Sequence, residues 1–397
     1  KIGNNNYDIG ISFHTNRGGR APGLGAVCGS SKGKATSPDD ASTFVHELGH
    51  MFGAGHSFNS VSAECAYQRS ASSAFEPGSG ITFMSYAFGC NPDRIPSFVY
   101  PRVFHAGSAD QIVACVKEGN GSTCANVQPI PNQTPIAEAS EMDGFTIPAS
   151  TPFFLKGTGT DPDGDTLMYN WDQYDLGPGG NPLNPVGNAP LFIAHRYQVY
   201  KHTRYFPYLY HISIQHFTEK GIVLPTYTRD MKFRFGAFDL KGGVAYDEID
   251  IHVDSSVAPF EVTYPAIAGE TWTVGDTQTI TWDVGGTNVA PIKSQYVNIV
   301  TFDQVTREFA DTLAMFTPND GVQDIIVPNS PNTDLFITVL AADHIFLNMS
   351  PNDFNIQATP DVDFLIEAPY SLEVCEGQDG EIDIDFTRLN GHSSNLN

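Results

Sequence analysis

Hydrophobic and polar residues follow two patterns along this chain, and helical spacing is scarce. The stronger helical pattern runs from about Pro38 to Phe52. Its apolar side consists of Phe44, Leu48 and Met51. Ser37 and Asp40 are a candidate capping box, and Gly53 is a candidate helix end. The sequence therefore predicts an amphipathic helix from Pro38 to Phe52.

A second helical segment, Ser108–Lys117, is followed by a long region typical of β-structure. The apolar side of this segment consists of Ile112, Val113 and Val116. Beyond Val127, short β-branched and aromatic runs are separated by Gly, Pro, Asn and Asp, and EIDIHV alternates with the strand period of two. This spacing predicts antiparallel β-sandwiches.

Changes in the pattern divide the chain into five predicted segments. VQPIPNQTPIAEAS is rich in proline and predicts a linker, while SSVAPFEVTYP begins a second run of strands. The segments are an α+β domain at 1–127, a linker at 128–134, β-sandwiches at 135–255 and 256–358, and the start of a further, incomplete domain at 359–397. The expected fold class is multidomain, with an α+β domain followed by all-β antiparallel sandwiches.

The balance of charge argues against some classes of partner. The 397 residues include 21 Lys and Arg against 45 Asp and Glu, for a formal net charge of -24. A phosphate backbone or an anionic bilayer has to be met with basic residues, so we expect neither nucleic acid nor a membrane as a partner. No apolar run in the sequence approaches the length that crosses a bilayer. The oligomeric state is not indicated.

One stretch, HELGHMFGAGH, combines the residue types of a zinc centre. His46 and His50 are four residues apart on the predicted helix and therefore project from one face. Gly53 allows a sharp turn after the helix, so that His56 returns as a third ligand and a fourth position stays open for water. Glu47 lies between the first two histidines, near enough to accept a proton from that water. The spacing predicts a catalytic zinc site.

The same eleven residues resemble HExxHxxGxxH, the long zinc signature of the metzincin metallopeptidases. GSGITFMSYAFGC is similar to the methionine turn of that superfamily, with Met84 at its centre. YDIG, GLGAVC, FEPGSG and FHAGSADQI resemble the adamalysin-related, reprolysin-like peptidases of secreted bacterial proteins, over about residues 5–126. The sandwich region also looks like the Ig-like or cadherin-like domains that follow the peptidase in that group.

The resemblance implies a secreted, extracellular zinc endopeptidase. In this interpretation zinc polarises the scissile carbonyl and its water, and Glu47 passes the water proton to the leaving amine. The partner is a polypeptide substrate in extended form, added as a strand to Tyr7–Phe13. The alternative is an adhesion or binding protein whose sandwiches carry the function and whose peptidase portion is an inactive remnant.

Three features depart from the family pattern. Ser57 follows the third histidine where adamalysins usually have Asp, and Tyr86 stands where they usually have proline after the methionine. In astacins and serralysins that tyrosine reaches the zinc or the oxyanion, so Tyr86 is either a catalytic donor or fifth ligand, or a packed tyrosine. Only 45 residues precede His46, so we expect an N-terminally incomplete peptidase domain.

The six cysteines include no CxxC pair, which argues against a cysteine-ligated zinc site. The resemblance implies a Cys28–Cys124 bridge and a Cys65–Cys90 bridge. Cys115 and Cys375 are then unpaired or matched to residues outside this sequence. The local alternative, Cys115–Cys124, closes only a short loop and restrains the unfolded chain less. Five cysteines in the first third favour an exported protein.

Two further motifs have open interpretations. TDPDGDT places Asp161, Asp163 and Asp165 alternately around Gly164, which is typical either of calcium ligands or of a turn alone. HTRYFPYLYHISIQHF is rich in aromatic residues and histidine, which is typical of a carbohydrate or protein surface or, more often, of strand core.

Overall fold

The computed structural model describes residues 3–16, 18–96, 102–194, 198–199, 201–358, 364–367 and 385–388, and the account below concerns those residues. The N-terminal part combines a small parallel sheet with helices. Its strands and helices are β1 (Ile11–His14), β2 (Ala35–Pro38), α1 (Ala41–Met51), α2 (Cys65–Gln68) and α3 (Ala106–Lys117). Short 3-10 helices cover Asn4–Asn6, Asn120–Thr123 and, in the next region, Ser140–Met142.

The helix that carries the zinc signature begins later than the sequence pattern predicts. Ser37 and Pro38 lie in strand β2, which pairs in parallel with β1. Asp40 is the N-cap of α1, and its carboxylate accepts hydrogen bonds from the amides of Ser42 and Thr43. The predicted capping box is therefore wrong, because the strand pairing takes up the residues assigned to the first helical turn.

The second predicted helix is present, but its buried side differs from the prediction. After the first turn of α3, the buried residue is Cys115, whereas Val113 and Val116 are 41% and 40% exposed. The buried thiol of Cys115 faces the end of α1, where it lies close to Gly53. The contact with α1 therefore decides which side of α3 is buried.

The first sandwich follows a loop that contains the predicted linker. Its elements are β3 (Ile136–Glu138), β4 (Thr146–Pro148), β5 (Phe153–Lys156), β6 (Thr158–Thr160), β7 (Met168–Gln173), β8 (Gln198–Val199), β9 (Thr203–Phe206), α4 (Leu209–Ser213), β10 (Thr218–Glu219), β11 (Ile222–Val223), β12 (Arg229–Phe238) and β13 (Val244–Asp254). The main sheet has the order β4-β13-β12-β7-β8, with the pairs β5–β9 and β3–β6 beside it. Phe153, Phe206 and Phe233 pack in its core, with ring centroids 4.8–5.8 Å apart.

The second sandwich has two facing sheets. Its strands are β14 (Glu261–Val262), β15 (Glu270–Thr273), β16 (Thr277–Asp283), β17 (Tyr296–Asp303), β18 (Glu308–Pro318), β19 (Val322–Ile326), β20 (Asn332–Ala341), β21 (Leu347–Met349) and β22 (Phe354–Gln357). One sheet has the order β14-β16-β19 and the other β15-β22-β20-β17-β18, with β21 added to β20. Trp272 packs between the sheets against Phe354, at 3.9 Å between ring centroids.

The pairing is antiparallel as predicted, apart from two edge contacts. Strand β4 pairs in parallel with β13, and β15 pairs in parallel with β22. Buried residues of the two sandwiches form one contiguous apolar cluster, which includes Phe153 and Phe346. The two sandwiches are therefore packed together rather than separated by a linker.

The expected further domain at 359–397 is described only at β23 (Phe364–Glu367) and β24 (Asp385–Arg388), which pair antiparallel. Cys375 lies outside the described residues. Within the described part of the chain, no helix combines the length and the apolar character that a membrane span requires.

Both predicted disulfides are confirmed. Cys28 is bridged to Cys124, with Cα atoms 5.6 Å apart, and Cys65 is bridged to Cys90, with Cα atoms 5.3 Å apart. Cys115 is a free, buried thiol, so the local Cys115–Cys124 alternative is wrong.

Replacing Cys28 and Cys124 together with alanine should lower the free energy of unfolding by about 2–5 kcal/mol, because the bridge closes a long loop in the unfolded chain. The residues it joins are 96 positions apart. Cys115→Ala is the matched control and should cost about 1 kcal/mol, since it removes one buried atom. Urea denaturation compares the two, and equal losses would contradict the importance of the bridge.

Candidate metal centre

Helix α1 presents two imidazoles and a carboxylate to one open cavity of about 440 Å³. His46 and His50 are one turn apart, with ring centroids 4.6 Å from each other. Glu47 lies between them in sequence and also lines the cavity. The opposite side of the helix is anchored in the domain by Met51, which is fully buried.

A tight turn after α1 returns His56 to the same cavity. Gly53 ends the helix with φ +96°, a conformation that favours glycine, and a Cβ there would lie 3.0 Å from Cβ of Cys115. The Gly55 amide then donates to Oε1 of Gln111 on α3, at 2.9 Å. Nε2 of His56 comes within 3.1 Å of Nε2 of His50.

Three backbone carbonyls fix the orientation of the three imidazoles. Nδ1–H donates to Phe83 O at 2.6 Å in His46, to Ala54 O at 2.7 Å in His50, and to Gln68 O at 2.7 Å in His56. A carbonyl only accepts, so each Nδ1 carries the proton and each Nε2 keeps its lone pair. The site therefore directs three acceptors towards one point.

The donor set fits a zinc ion. One nitrogen from each ring lies within 4.8 Å of the others. Two imidazole nitrogens on a tetrahedral zinc ion would lie about 3.3 Å apart, close to the separation of His50 and His56. Converging lone pairs without a proton between them repel each other, so a cation is the natural occupant. The residues that would hold it are His46, His50 and His56.

Burial keeps the imidazoles neutral. Desolvation, with a further contribution from His50, lowers the pKa of His46 to about 3 and that of His56 to about 4. Desolvation also lowers the pKa of His50. Neutral rings are the form that binds metal.

Glu47 is a buried carboxylate beside the imidazoles. It is 5% exposed, and its Oε2 has no hydrogen-bond partner among the described residues. Burial raises the pKa of Glu47 to about 7, although a hydrogen bond from the Ala21 amide opposes this shift. A carboxylate with such a pKa both accepts and releases a proton near neutral pH.

Met84 lies beneath the helix, as a methionine turn does. It is fully buried, and a Cβ added to Gly49 would collide with its sulfur. Its carbonyl accepts from the Ser57 amide at 2.9 Å, next to the third histidine. Met84 therefore connects α1 with the chain that follows His56.

A residue that the sequence pattern did not single out binds Ser57. Glu76 is fully buried, and its carboxylate accepts hydrogen bonds from the Ser57 hydroxyl at 2.5 Å and from the Thr82 hydroxyl. The amides of Ile81 and Thr82 donate to its other oxygen at 2.8 and 3.2 Å. Glu76 thus supplies, through Ser57, a carboxylate at the loop that leads to Met84. FEPGSG was the only sequence signal for it.

Tyr86 lies at the rim of the cavity. Its ring centroid is 4.7 Å from that of His56 and 5.8 Å from that of His46. Burial, with contributions from Glu47 and Glu64, raises the pKa of Tyr86, so its hydroxyl keeps its proton. The role of Tyr86 as donor or ligand stays a prediction.

The segment predicted to bind substrate is not the one beside the metal site. Strand β1 pairs with β2, and none of Tyr7–Phe13 lines the cavity. Gly19, Arg20 and Ala21 line it instead, because Arg20 pairs with Thr36 on the other side of β2. Strand β1 still reaches α1, since Phe13 stacks on Phe44 with ring centroids 5.7 Å apart, and binding of substrate to Tyr7–Phe13 stays a prediction.

The three aspartates of TDPDGDT come together, but partners surround them. Their carboxylate oxygens lie within 4.8 Å of one another. Asp161 accepts from the amides of Asp163 and Asp165, Gln133 binds Asp163, and Lys241 pairs with Asp165 at 2.5 Å. Oδ2 of Asp161 and Oδ2 of Asp165 have no hydrogen-bond partner among the described residues. The arrangement is that of a hydrogen-bonded turn, and calcium binding stays a prediction.

A larger cavity, about 580 Å³, lies in the sandwich region and is lined by part of the HTRYFPYLYHI run. The smaller cavity is the candidate metal centre, because it contains the imidazoles and Glu47.

Comparison with known families agrees with this geometry. Residues 3–98 match Reprolysin_5, metallo-peptidase family M12. The match includes all three histidines, Glu47 and Met84, and it supports a metallopeptidase function for the N-terminal part. Peptidases of family M12 generally use zinc.

Comparisons of whole sequence and structure add little. No curated protein matches the chain. Among solved structures, the tandem Ig repeats of Dlar are 10% identical, cover 57% of this chain and 98% of that one, and give a TM-score of 0.29. The fibronectin(III)-like modules of Clostridium thermocellum CbhA are 8% identical, cover 57% and 95%, and give 0.19. Such scores carry no argument about this chain.

Glu76→Gln should lower the free energy of unfolding by about 1–3 kcal/mol. The neutral amide loses charge-assisted hydrogen bonds, and the Ser57 and Thr82 hydroxyls must turn from donors into acceptors. Glu118→Gln, on an exposed residue of the same domain, is the control and should stay within about 0.5 kcal/mol of the unchanged protein. Thermal unfolding measures both, and equal stability of the two variants would refute the role given to Glu76.

Proposed function

We propose that this protein is a zinc-dependent endopeptidase that hydrolyses extracellular polypeptides. The observation that carries the proposal is the convergence of three unprotonated Nε2 atoms beside the Glu47 carboxylate. The match of residues 3–98 to a metallopeptidase family supports it. The intact donor set favours a peptidase over an adhesion protein with an inactive remnant.

The proposed reaction uses few groups of this chain. Zinc, when bound, supplies a Lewis acid that makes water more acidic and polarises the scissile carbonyl. Glu47 accepts a proton from the attacking water and delivers it to the leaving amine nitrogen, whose bond to carbon breaks. Tyr86, at the cavity rim, donates a hydrogen bond to the oxyanion that develops on the scissile carbonyl.

The substrate is an extended chain lying along residues 19–24. Gly19, Arg20 and Ala21 border the cavity, and Gly23 and Leu24 continue its lining. The cavity lies at the surface and admits a polypeptide strand, which pairs with exposed backbone by strand addition. Gly19 leaves space that a side chain would take, since a Cβ there would lie 2.5 Å from Glu47.

Export from the cell is part of the proposal. Two disulfides brace the N-terminal part, and such bridges persist in oxidising compartments. The acidic composition keeps an exported protein dispersed.

His56→Ala should reduce zinc affinity by at least about 100-fold, because two imidazoles and water hold zinc poorly. Glu47→Gln is the matched control and should bind one equivalent of zinc, since Glu47 is not a ligand. Competition with a chromophoric chelator measures both affinities. Unchanged affinity in His56→Ala would remove His56 from the ligand set.

The unchanged protein should cleave casein, and a chelator should stop the cleavage. Glu47→Gln should lower the turnover by at least about 100-fold, because the proton carrier is lost. Tyr86→Phe should lower it by about 10-fold to 100-fold, with unchanged zinc content, because only an oxyanion donor is lost. Casein cleavage that survives in Glu47→Gln would sink the proposed mechanism.

A further inference from the structure

A loop of the first sandwich packs against the chain that orients His56. The loop covers residues 175–190, which follow β7 and have the sequence DLGPGGNPLNPVGNAP. It contacts the N-terminal part at Asn59, Val61 and Arg69. These residues flank α2, whose last residue is Gln68.

Hydrogen bonds tie this loop to both sides of α2. Nη2 of Arg69 donates to Gly177 O at 2.8 Å, and its Nε donates to the Asn59 side chain at 3.0 Å. The Asn59 amide group donates in turn to Pro178 O at 2.8 Å. Asn59 is 3% exposed, so these bonds are protected from water.

The loop itself is held firmly by the sandwich. Arg229 on β12 donates to Ala189 O at 2.9 Å and pairs with Asp175 at 3.5 Å. Asp175 accepts further hydrogen bonds from the Gln173 side chain at 2.6 Å and from the Lys232 amide at 3.2 Å. The position of Gly177 and Pro178 is therefore set by the β-sheet.

Arg69 directly follows Gln68, whose carbonyl accepts from Nδ1–H of His56. Helix α2 is only four residues long, and its other end is tied by the Cys65–Cys90 bridge. Because so short a helix has little stability of its own, the bond from Arg69 to Gly177 restrains the Gln68 carbonyl.

The sandwich also binds helix α3, which holds the turn before His56. The Asp172 carboxylate accepts from the Ala106 amide at 2.9 Å, at the start of α3. The Tyr174 hydroxyl donates to Asp110 on the same helix at 2.6 Å. Gln111, the next residue, holds the Gly55 amide. The sandwich therefore supports the chain on both sides of His56.

We propose that the first β-sandwich is a positioning element of the metal centre, which acts through Gly177, Arg69 and the Gln68 carbonyl to orient His56. The inference rests on the metal site proposed above. Its consequence is that the tightness of metal binding depends on a domain that contributes no ligand, in the way that partners of a ligand tune metal sites.

Two neighbouring glycines allow a matched test. A Cβ on Gly179 would lie 2.6 Å from Cγ1 of Val61 and 2.8 Å from Nε of Arg69, so Gly179→Ala pushes the loop away from Arg69. A Cβ on Gly180 would meet nothing within 4 Å, so Gly180→Ala is the control with the same change in composition. Both variants are made in the full chain.

The measurement is the affinity for Co²⁺ and Zn²⁺, by competition with a chelator, alongside thermal unfolding of the metal-free proteins. Gly179→Ala should bind both ions about 10-fold more weakly than Gly180→Ala, at a temperature where both remain folded. Equal affinities would overturn the inference while leaving the metal site intact. Absence of metal binding in the unchanged protein would instead overturn the proposed function.

Arg69→Lys is the second variant, in case Gly179→Ala does not fold. Lysine keeps the charge but cannot bridge Asn59 and Gly177 together, so it should also weaken Co²⁺ binding about 10-fold. A loss of affinity no larger than the unfolded fraction explains would contradict a positioning role.

Discussion

The structure of the N-terminal part depends on holding three neutral imidazoles with their lone pairs directed at one another. Each ring donates from Nδ1 to a backbone carbonyl, of Phe83, Ala54 or Gln68, and therefore presents Nε2 without a proton. The converging lone pairs repel one another without a cation, so a rigid backbone has to hold the three rings in place. These three carbonyls come from three separate segments, and the surrounding fold serves to keep those segments in place.

Each segment has its own support. The Ala54 carbonyl follows the turn at Gly53, which packs against α3. The Phe83 carbonyl belongs to the loop organised by the buried Glu76 carboxylate. The Gln68 carbonyl lies between the Cys65–Cys90 bridge and the contact of Arg69 with the first sandwich. Electrostatics, a covalent bond and domain packing thus converge on the same small site.

The first sandwich packs directly against the N-terminal part. Its loop at residues 175–190 and the Tyr174–Asp110 hydrogen bond join it to the N-terminal part, and its core continues into the second sandwich. A domain that binds in this way adds buried polar contacts rather than a flexible tether. The packing explains one glycine of the DLGPGGNPLNPVGNAP run: close approach to Val61 and Arg69 leaves no room for a side chain at Gly179.

Sequence alone determined the candidate ligands, the amphipathic helix that carries two of them and, through the family resemblance, both disulfides. Spacing was sufficient there, because residues four apart share a helix face and a glycine ends the helix locally. It was not sufficient for the start of α1 or for the buried side of α3, since strand pairing and helix packing decided these. Nor did it place the segment at Gly19–Ala21, find Glu76 or predict the contact between Asn59 and Pro178. Glu76 is found through a contact with Ser57, 19 positions away, and Asn59 meets Pro178 from 119 positions away. Only tertiary structure brings such residues together.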